Sequence, residues 1–448
     1  MITMSNFPLI KIEPPGPNAL KVIKKDEKYL MHSFTRWYPL VVKSGHNFLI
    51  EDVDGNIYLD FNSGIAVMNI GHNHPSIIST IREQSKKLLH YSITDFIYKE
   101  AADLAENLVK ITPGEFNKKV FFGNSGAEAI EAAIKISKGY YKNKRPYIIA
   151  FIGSFHGRTM GALSLTASKP IHRKYFSPLM PNVIHTPYPY CYRCPFKLEC
   201  PDCNYWCIDF IEEWIFKKYI DPEEVSSIFF EPILGEGGYV TPPPLAWKRL
   251  EKLAKEYNIL LVADEIQTGM GRTGKWFASQ HWHVTPDLIA IAKAIASGLP
   301  LGAVVGRENV MNLPKGSHAS TFGGNPLSCA VANKVIEIID KEKLLENAVK
   351  IGEYMVKRIK EFQEKCKIIG DVRGKGLMIG IELVKDKKSK TPAVKELSIV
   401  LKELFKKGVL AIGGGMSTLR IAPPLTITRE AAEIGLEIIE KVLLKVSK

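Results

Sequence analysis

Between residues 118 and 330 the chain alternates two kinds of hydrophobic pattern. Short, nearly continuous apolar runs, KVFFGN, YIIAFIG, VSSIFFEP, ILLVADE and DLIAIAK, have the length and composition of strands covered on both faces. Between them, SGAEAIEAAIKISKGYYK and LAWKRLEKLAKEY place apolar residues three and four apart, the spacing of one helix face. This alternation predicts an α/β domain built on a mainly parallel sheet. From about residue 331 a long helical stretch opens and another closes the chain, with GLMIGIELV and TLRIAPPL as strands between them, which predicts a smaller α+β domain. Near the N-terminus EDVDGNIYLDF reads as a hairpin turning at Asp54-Gly55, expected to pack with the C-terminal part. The expected division is 1–62 as an N-terminal segment of the small domain, 63–330 as the large domain and 331–448 as the rest of the small one.

Composition narrows the classes. A chain of 448 residues, 46% hydrophobic, can bury the cores of two domains. It has no apolar run of about eighteen residues and no charged start followed by an apolar core and cleavage site, so a cytoplasmic protein without a membrane role is expected. The formal charge of +13 raises the question of nucleic acid. Its lysines, however, are spread through helical stretches such as EYMVKRIKEFQEK and VLKELFKKG, which describes a solvated surface rather than a nucleic-acid face. Such a surface also suits work at high temperature.

The chemistry begins where the strands end. ILLVADE runs from a buried strand straight into Asp264 and Glu265. In open α/β sheets ligands bind beyond the carboxyl ends of the strands, and a carboxylate buried there needs a cationic or protonated partner. Lys293 follows the next apolar strand in the same way, and a lysine in that position must be neutralised or used covalently. A Schiff-base lysine together with an aspartate facing a protonated pyridine nitrogen is what pyridoxal phosphate requires. Its phosphate needs a cradle, and FFGNSGAEAIEAAIKIS offers a turn leading into a helix N-terminus. Taken alone, that turn reads more readily as an ordinary helix cap by Ser125 than as a phosphate site.

In company, these residues resemble a known family. FFGNSGAEAIEAAIK, FHGRTMGAL, FEPILGEGG, ADEIQTGMGRTG, AKAIASGLPLGA, TFGGNP and LRIAPPL, in this order over residues 30 to 440, are similar to the class III aminotransferases of fold type I, nearest to the 4-aminobutyrate and ornithine enzymes. The resemblance implies an α/β fold type I transferase with a seven-stranded sheet and pyridoxal 5'-phosphate as cofactor. By it, Lys293 carries the cofactor and shuttles the proton, while Asp264 pairs with the ring nitrogen. Gln267 and His156 lie beside the cofactor, Phe155 stacks on its ring, and Ser125, Gly126 and Ala127 hold the phosphate. Thr321 contributes to the phosphate site of a neighbouring subunit, which implies a homodimer or a dimer-based oligomer.

The same resemblance assigns substrate contacts. Arg420 matches the arginine that binds an α-carboxylate, and Glu236 the glutamate that neutralises it when the substrate has none. Arg158 matches the arginine for the distal carboxylate. Ile65 falls where 4-aminobutyrate enzymes carry isoleucine and ornithine enzymes tyrosine. Glu231 is expected to help position the cofactor or a nearby loop.

Five of the seven cysteines, Cys191, Cys194, Cys200, Cys203 and Cys207, fall in one stretch that departs from the family pattern, as does the N-terminal extension. Their spacing leaves disulfide, metal and free thiol all open, with a local staple on a surface excursion expected. No metal is assigned to the reaction. The function expected is transfer of the amino group of an ω-amino acid, 4-aminobutyrate or ornithine, to 2-oxoglutarate, giving a semialdehyde and L-glutamate. The alternative is an amino-acid racemase or epimerase of the same family. A non-catalytic metal-binding or basic protein is disfavoured by the intact Lys293 and Asp264.

Overall fold

The computed structural model describes residues 7–447. Three N-terminal strands, β1 (Val42–His46), β2 (Leu49–Asp52) and β3 (Ile57–Asp60), form an antiparallel meander. The β2–β3 turn lies at Asp54-Gly55 because Gly55 takes a φ of 86°, open to glycine without strain. The Asp52 carboxylate ties the turn by accepting the N–H groups of Asp54 and Asn56, each at 2.9 Å.

Seven strands follow: β4 (Lys118–Gly123), β5 (Tyr147–Ile152), β6 (Val183–Pro187), β7 (Val225–Phe230), β8 (Leu260–Asp264), β9 (Leu288–Ile291) and β10 (Gly302–Arg307). They form one sheet in the order β4-β10-β9-β8-β7-β5-β6. The run from β9 to β6 is parallel, whereas β10 is antiparallel to both its neighbours. Every residue of β7 and β8 is buried, which explains their unbroken apolar sequence. The helix Gly126–Tyr140 packs its Ala and Ile face, Ala129 to Ile136, against this sheet. Two strands, β6 and β10, are absent from the apolar runs read along the chain. The glycine that heads β10 has a packing reason: a Cβ on Gly302 would stand 2.2 Å from the carbonyl oxygen of Ser125.

The C-terminal part supplies β11 (Ile369–Lys375), β12 (Met378–Leu383), β13 (Val409–Leu410), β14 (Ile412–Gly414) and β15 (Thr418–Ile421). Four of them form a sheet in the order β11-β12-β15-β14, and β13 pairs in parallel with β3. The N-terminal meander is thereby completed by the C-terminal part, and Leu59 and Phe61 share one core with Leu419, Leu436 and Ile439. The sheet order sets the carboxyl ends of β5, β7, β8 and β9 side by side. Loops 153–158, 231–238, 264–267 and 292–298 therefore meet over one edge, and β15 faces them from the small sheet. No helix among the described residues is long and apolar enough to cross a membrane.

Candidate active site

Asp264 is the last residue of β8 and is almost fully buried. Its Oδ1 accepts the Ile266 N–H at 3.0 Å, and its Oδ2 meets Nδ1 of the buried His156 at 2.7 Å. Glu265, one residue on, turns the opposite way along the pleat. It accepts the N–H groups of Ala278 at 2.9 Å and Ser279 at 2.7 Å, and burial pushes its carboxyl above the usual range. The two adjacent acids thus divide, one into the cleft and one into the scaffold.

Lys293 stands two residues beyond β9 and opens a short 3₁₀ turn with φ at 44°, a left-handed conformation unusual for a side chain of its size. Burial pulls its amine below the ordinary lysine value, although Asp264 and Glu231 oppose the shift. Glu231 follows β7 and bridges two loops: Oε1 accepts the Phe155 N–H and Oε2 the Gly235 N–H, both at 2.7 Å. Burial, reinforced by Asp264, raises its carboxyl to about 7.

The Ser125 hydroxyl caps the helix Gly126–Tyr140, accepting the Glu128 N–H at 3.2 Å. Gly126 and Ala127 begin that helix between two neighbours: a Cβ on Gly126 would meet Ile266 at 3.0 Å, and one on Gly157 would meet the Ala127 Cβ at 2.9 Å. The helix N-terminus is thereby fitted against the loop of Asp264 and the loop of His156. The rings of Phe155 and His172 stand nearly perpendicular, centroids 5.5 Å apart, and the Arg158 guanidinium lies 5.3 Å from the Phe155 centroid.

Arg420, on β15, is buried. Nε donates to the Gly413 carbonyl at 2.9 Å, NH1 to the Gly235 carbonyl at 3.1 Å, and NH2 pairs with Glu236 Oε2 at 3.0 Å. The other Glu236 oxygen pairs with Lys169 at 2.8 Å. Burial works to raise the Glu236 carboxyl, but Arg420 and then Lys169 outweigh it and hold the group below its ordinary value. Lys293, Asp264, His156, Glu231, Gln267, Glu236 and Arg420 therefore form one cluster. Arg158, Thr321 and Ile65 stand exposed. Ile65 has φ at 67°, rare for a β-branched side chain and of the kind found at functional sites.

Lys169 escaped the sequence reading because it lies in no motif, only before the proline that starts a short helix. So did Arg272, which is fully buried with no carboxylate partner among the described residues. It donates to the carbonyls of Leu377, at 3.1 Å, and Pro423, and also to Asn69 Oδ1, stitching the loop after β8 to the small sheet. An arginine inside the glycine-rich GMGRTG run was the available signal. The five clustered cysteines, expected as a staple, are free. They line one small cavity with Pro195, Phe196 and Trp206, and burial pushes Cys191 and Cys207 up to about 12. Among the described residues no group of three or more His, Cys, Asp or Glu is placed to hold a metal ion.

Residues 32–443 match the family model described as aminotransferase class-III. The chain belongs to that family. It is 42% identical to an alanine/serine racemase of Pyrococcus horikoshii over 99% of this chain and 94% of that protein. An acetylornithine aminotransferase of Caldanaerobacter subterraneus is 38% identical over 94% of this chain and 99% of that protein. Among solved structures, an (S)-enantioselective omega-transaminase from Thermomicrobium roseum superposes with a TM-score of 0.90 at 31% identity, covering 96% of this chain and 99% of that one. The class-III fold carries pyridoxal phosphate with it, and the site fits that group. His156 Nε2 and Gln267 Oε1 are buried with no hydrogen-bond partner among the described residues, two polar atoms in want of a ligand.

Proposed function

We propose that this class-III enzyme transfers the amino group of an ω-amino acid, 4-aminobutyrate in the first place and ornithine in the second, to 2-oxoglutarate, releasing a semialdehyde and L-glutamate. The observation that supports the reading is the 3.0 Å contact between Arg420 and Glu236. A buried guanidinium must be paired, and a partner that is itself a side chain can be displaced. An α-carboxylate takes Arg420 in bidentate fashion when glutamate or 2-oxoglutarate enters, and Glu236 closes the gap when the substrate has no carboxylate there. One pocket then serves both halves of the reaction.

Pyridoxal phosphate, when bound, supplies an aldehyde for the substrate amine and a ring that withdraws electrons from the bond to be broken. Asp264 keeps the ring nitrogen protonated, with His156 fixing the direction of the carboxylate. Lys293 holds the cofactor and, with its amine depressed by burial, is free to take the proton from the substrate carbon and return it. Ser125, Gly126 and Ala127 receive the phosphate at the helix N-terminus. Phe155 would cover the ring, and Gln267, whose Oε1 has no partner among the described residues, would offer a hydrogen bond to the cofactor. Arg158 takes the distal carboxylate, with Ile65 lining the pocket beside it. Thr321 completes the phosphate site of a second subunit in a homodimer.

The second reading, racemisation or epimerisation of an α-amino acid, is favoured by the identity to the alanine/serine racemase. Holoenzyme given a single amino acid and no oxo acid separates the two. Aminotransfer releases one equivalent of semialdehyde or oxo acid per active site from 4-aminobutyrate or ornithine and then stops. Continuous accumulation of the D-isomer from L-alanine or L-leucine, without such a stoichiometric product, would overturn the first reading.

A further inference from the structure

We infer that Lys169 is a positioning residue that sets the balance of the Arg420–Glu236 pair, and with it the preference of the pocket for substrates carrying an α-carboxylate. The inference rests on the exchange of Glu236 for a substrate carboxylate argued above. Three residues from three places share one charge relay. Glu236 lies on the loop after β7, Lys169 in the turn before the short helix Pro170–Arg173, and Arg420 on β15. The carboxylate is divided between the two cations, Oε1 to Lys169 at 2.8 Å and Oε2 to Arg420 at 3.0 Å.

The position of Lys169 is built. Its turn is fastened to the end of β5 by two reciprocal backbone hydrogen bonds, Gly153 N–H to Ala167 O at 3.0 Å and Ala167 N–H to Ser154 O at 2.9 Å. Arg173 closes the same turn by donating to the carbonyls of Ser164 at 3.0 Å and Thr166 at 2.8 Å. Strands β5 and β7 are neighbours in parallel, so the turn and the Glu236 loop leave the same edge side by side. Lys169 thus belongs to the large sheet with Glu236, whereas Arg420 reaches in from the small one.

With Arg420 paired to Glu236, Lys169 touches one carboxylate oxygen only. When a substrate carboxylate takes Arg420, both Glu236 oxygens are free to turn toward the Lys169 ammonium, which has three donors on a flexible stem. Lys169 therefore interacts more strongly with the displaced glutamate than with the paired one, and only such a difference shifts an equilibrium. Without it, displacement would strand a partly buried carboxylate, and Glu236 would hold Arg420 more tightly.

Glutarate and butyrate provide a matched pair of probes, since they are the carbon skeletons of glutamate and 4-aminobutyrate without an amine and do not react. Calorimetric titration of each into the holoenzyme gives a ratio of dissociation constants that reports Arg420 availability alone. Lys169→Met is expected to weaken glutarate relative to butyrate about tenfold, Lys169→Arg to restore the ratio, and Lys169→Met in a Glu236→Ala background to leave the ratio as Glu236→Ala alone sets it. Melting temperatures of all variants separate loss of fold from loss of balance. Equal weakening of both ligands by Lys169→Met, or an effect that persists in the Glu236→Ala background, would mean a general field effect and overturn the proposal. If Glu236→Ala by itself leaves the ratio unmoved, the exchange reading fails and the role of Lys169 with it. If Glu236→Ala moves the ratio and Lys169→Met does not, the exchange stands and only Lys169 is eliminated.

Discussion

His156 and Asp264 meet at 2.7 Å, ring Nδ1 to carboxylate Oδ2, with both side chains hidden from solvent. They close the ends of two non-neighbouring strands: His156 lies past β5 and Asp264 ends β8, with β7 between them in the sheet. A carboxylate accepts only, so Nδ1 carries the hydrogen and points it at Asp264. The aspartate is held on one side by an imidazole and on the other by the Ile266 N–H, leaving little freedom to its plane.

Removing that support is expected to loosen the cofactor. His156→Phe keeps a flat ring but takes away one hydrogen bond to a charged group, so retention of pyridoxal phosphate is expected to fall about tenfold or more. Dialysis against cofactor-free buffer, followed by the absorbance left on the protein, measures it. Unchanged retention would mean that Asp264 is oriented by the backbone alone.

Lys293→Ala is expected to abolish turnover while leaving the melting temperature within a few degrees, since the replaced amine is already disfavoured in charged form by burial. After borohydride treatment and denaturation the wild-type chain should keep the cofactor attached and the variant should not. Covalent retention in the variant would assign the attachment to another lysine.

Glu236→Ala takes from Arg420 its carboxylate partner and leaves it the carbonyls of Gly413 and Gly235. The ratio of kcat/KM for 4-aminobutyrate to that for L-glutamate is expected to fall about tenfold, because only the ω-amino substrate needs the gap closed. Equal loss on both substrates would reduce the pair to a structural tie.

Glu231 gives the unliganded protein a pH signature. Burial beside Asp264 raises its carboxyl to about 7 when folded, from the 4.5 of an ordinary glutamate, so between these limits the folded chain holds a proton that the unfolded chain has released. Stability is therefore greatest below the unfolded value and falls as pH rises through the folded one, by roughly 3 kcal/mol at most. Glu231→Gln should remove this component of the slope in urea titrations between pH 4.5 and 7. It should also cost about 1–3 kcal/mol throughout, since one of the two N–H groups now held by the carboxylate loses its acceptor. An identical slope in the variant would move the titration to another group.

Much of the scaffold was legible along the chain. KVFFGN, YIIAFIG, VSSIFFEP, ILLVADE and DLIAIAK all became strands of one sheet, because an apolar run of that length has few other ways to be buried. VIHTP and GAVVGR hid β6 and β10. The first is only half-covered at the sheet edge, and the second opens on a glycine, Gly302, where its backbone approaches Ser125. Asp264 and Lys293 were legible too, since a charge at the end of a buried strand demands a partner. Hydrophobic pattern alone did not separate Glu265 from Asp264, and only the family resemblance singled out Asp264. One residue of pleat decided which of the two enters the cleft.

Local pattern determined the elements and the charges that need partners, because periodicity and desolvation act on neighbours in sequence. What met what was decided by the tertiary structure. Lys169 finds Glu236 across 67 positions, and Arg272 finds Asn69 across 203. Such pairs depend on strand order and on the packing of one sheet against another. No propensity of Lys169 or Arg272 in its own segment encodes the partner, since the free energy that selects it comes from burying a common core and must outweigh the entropy lost in closing long loops.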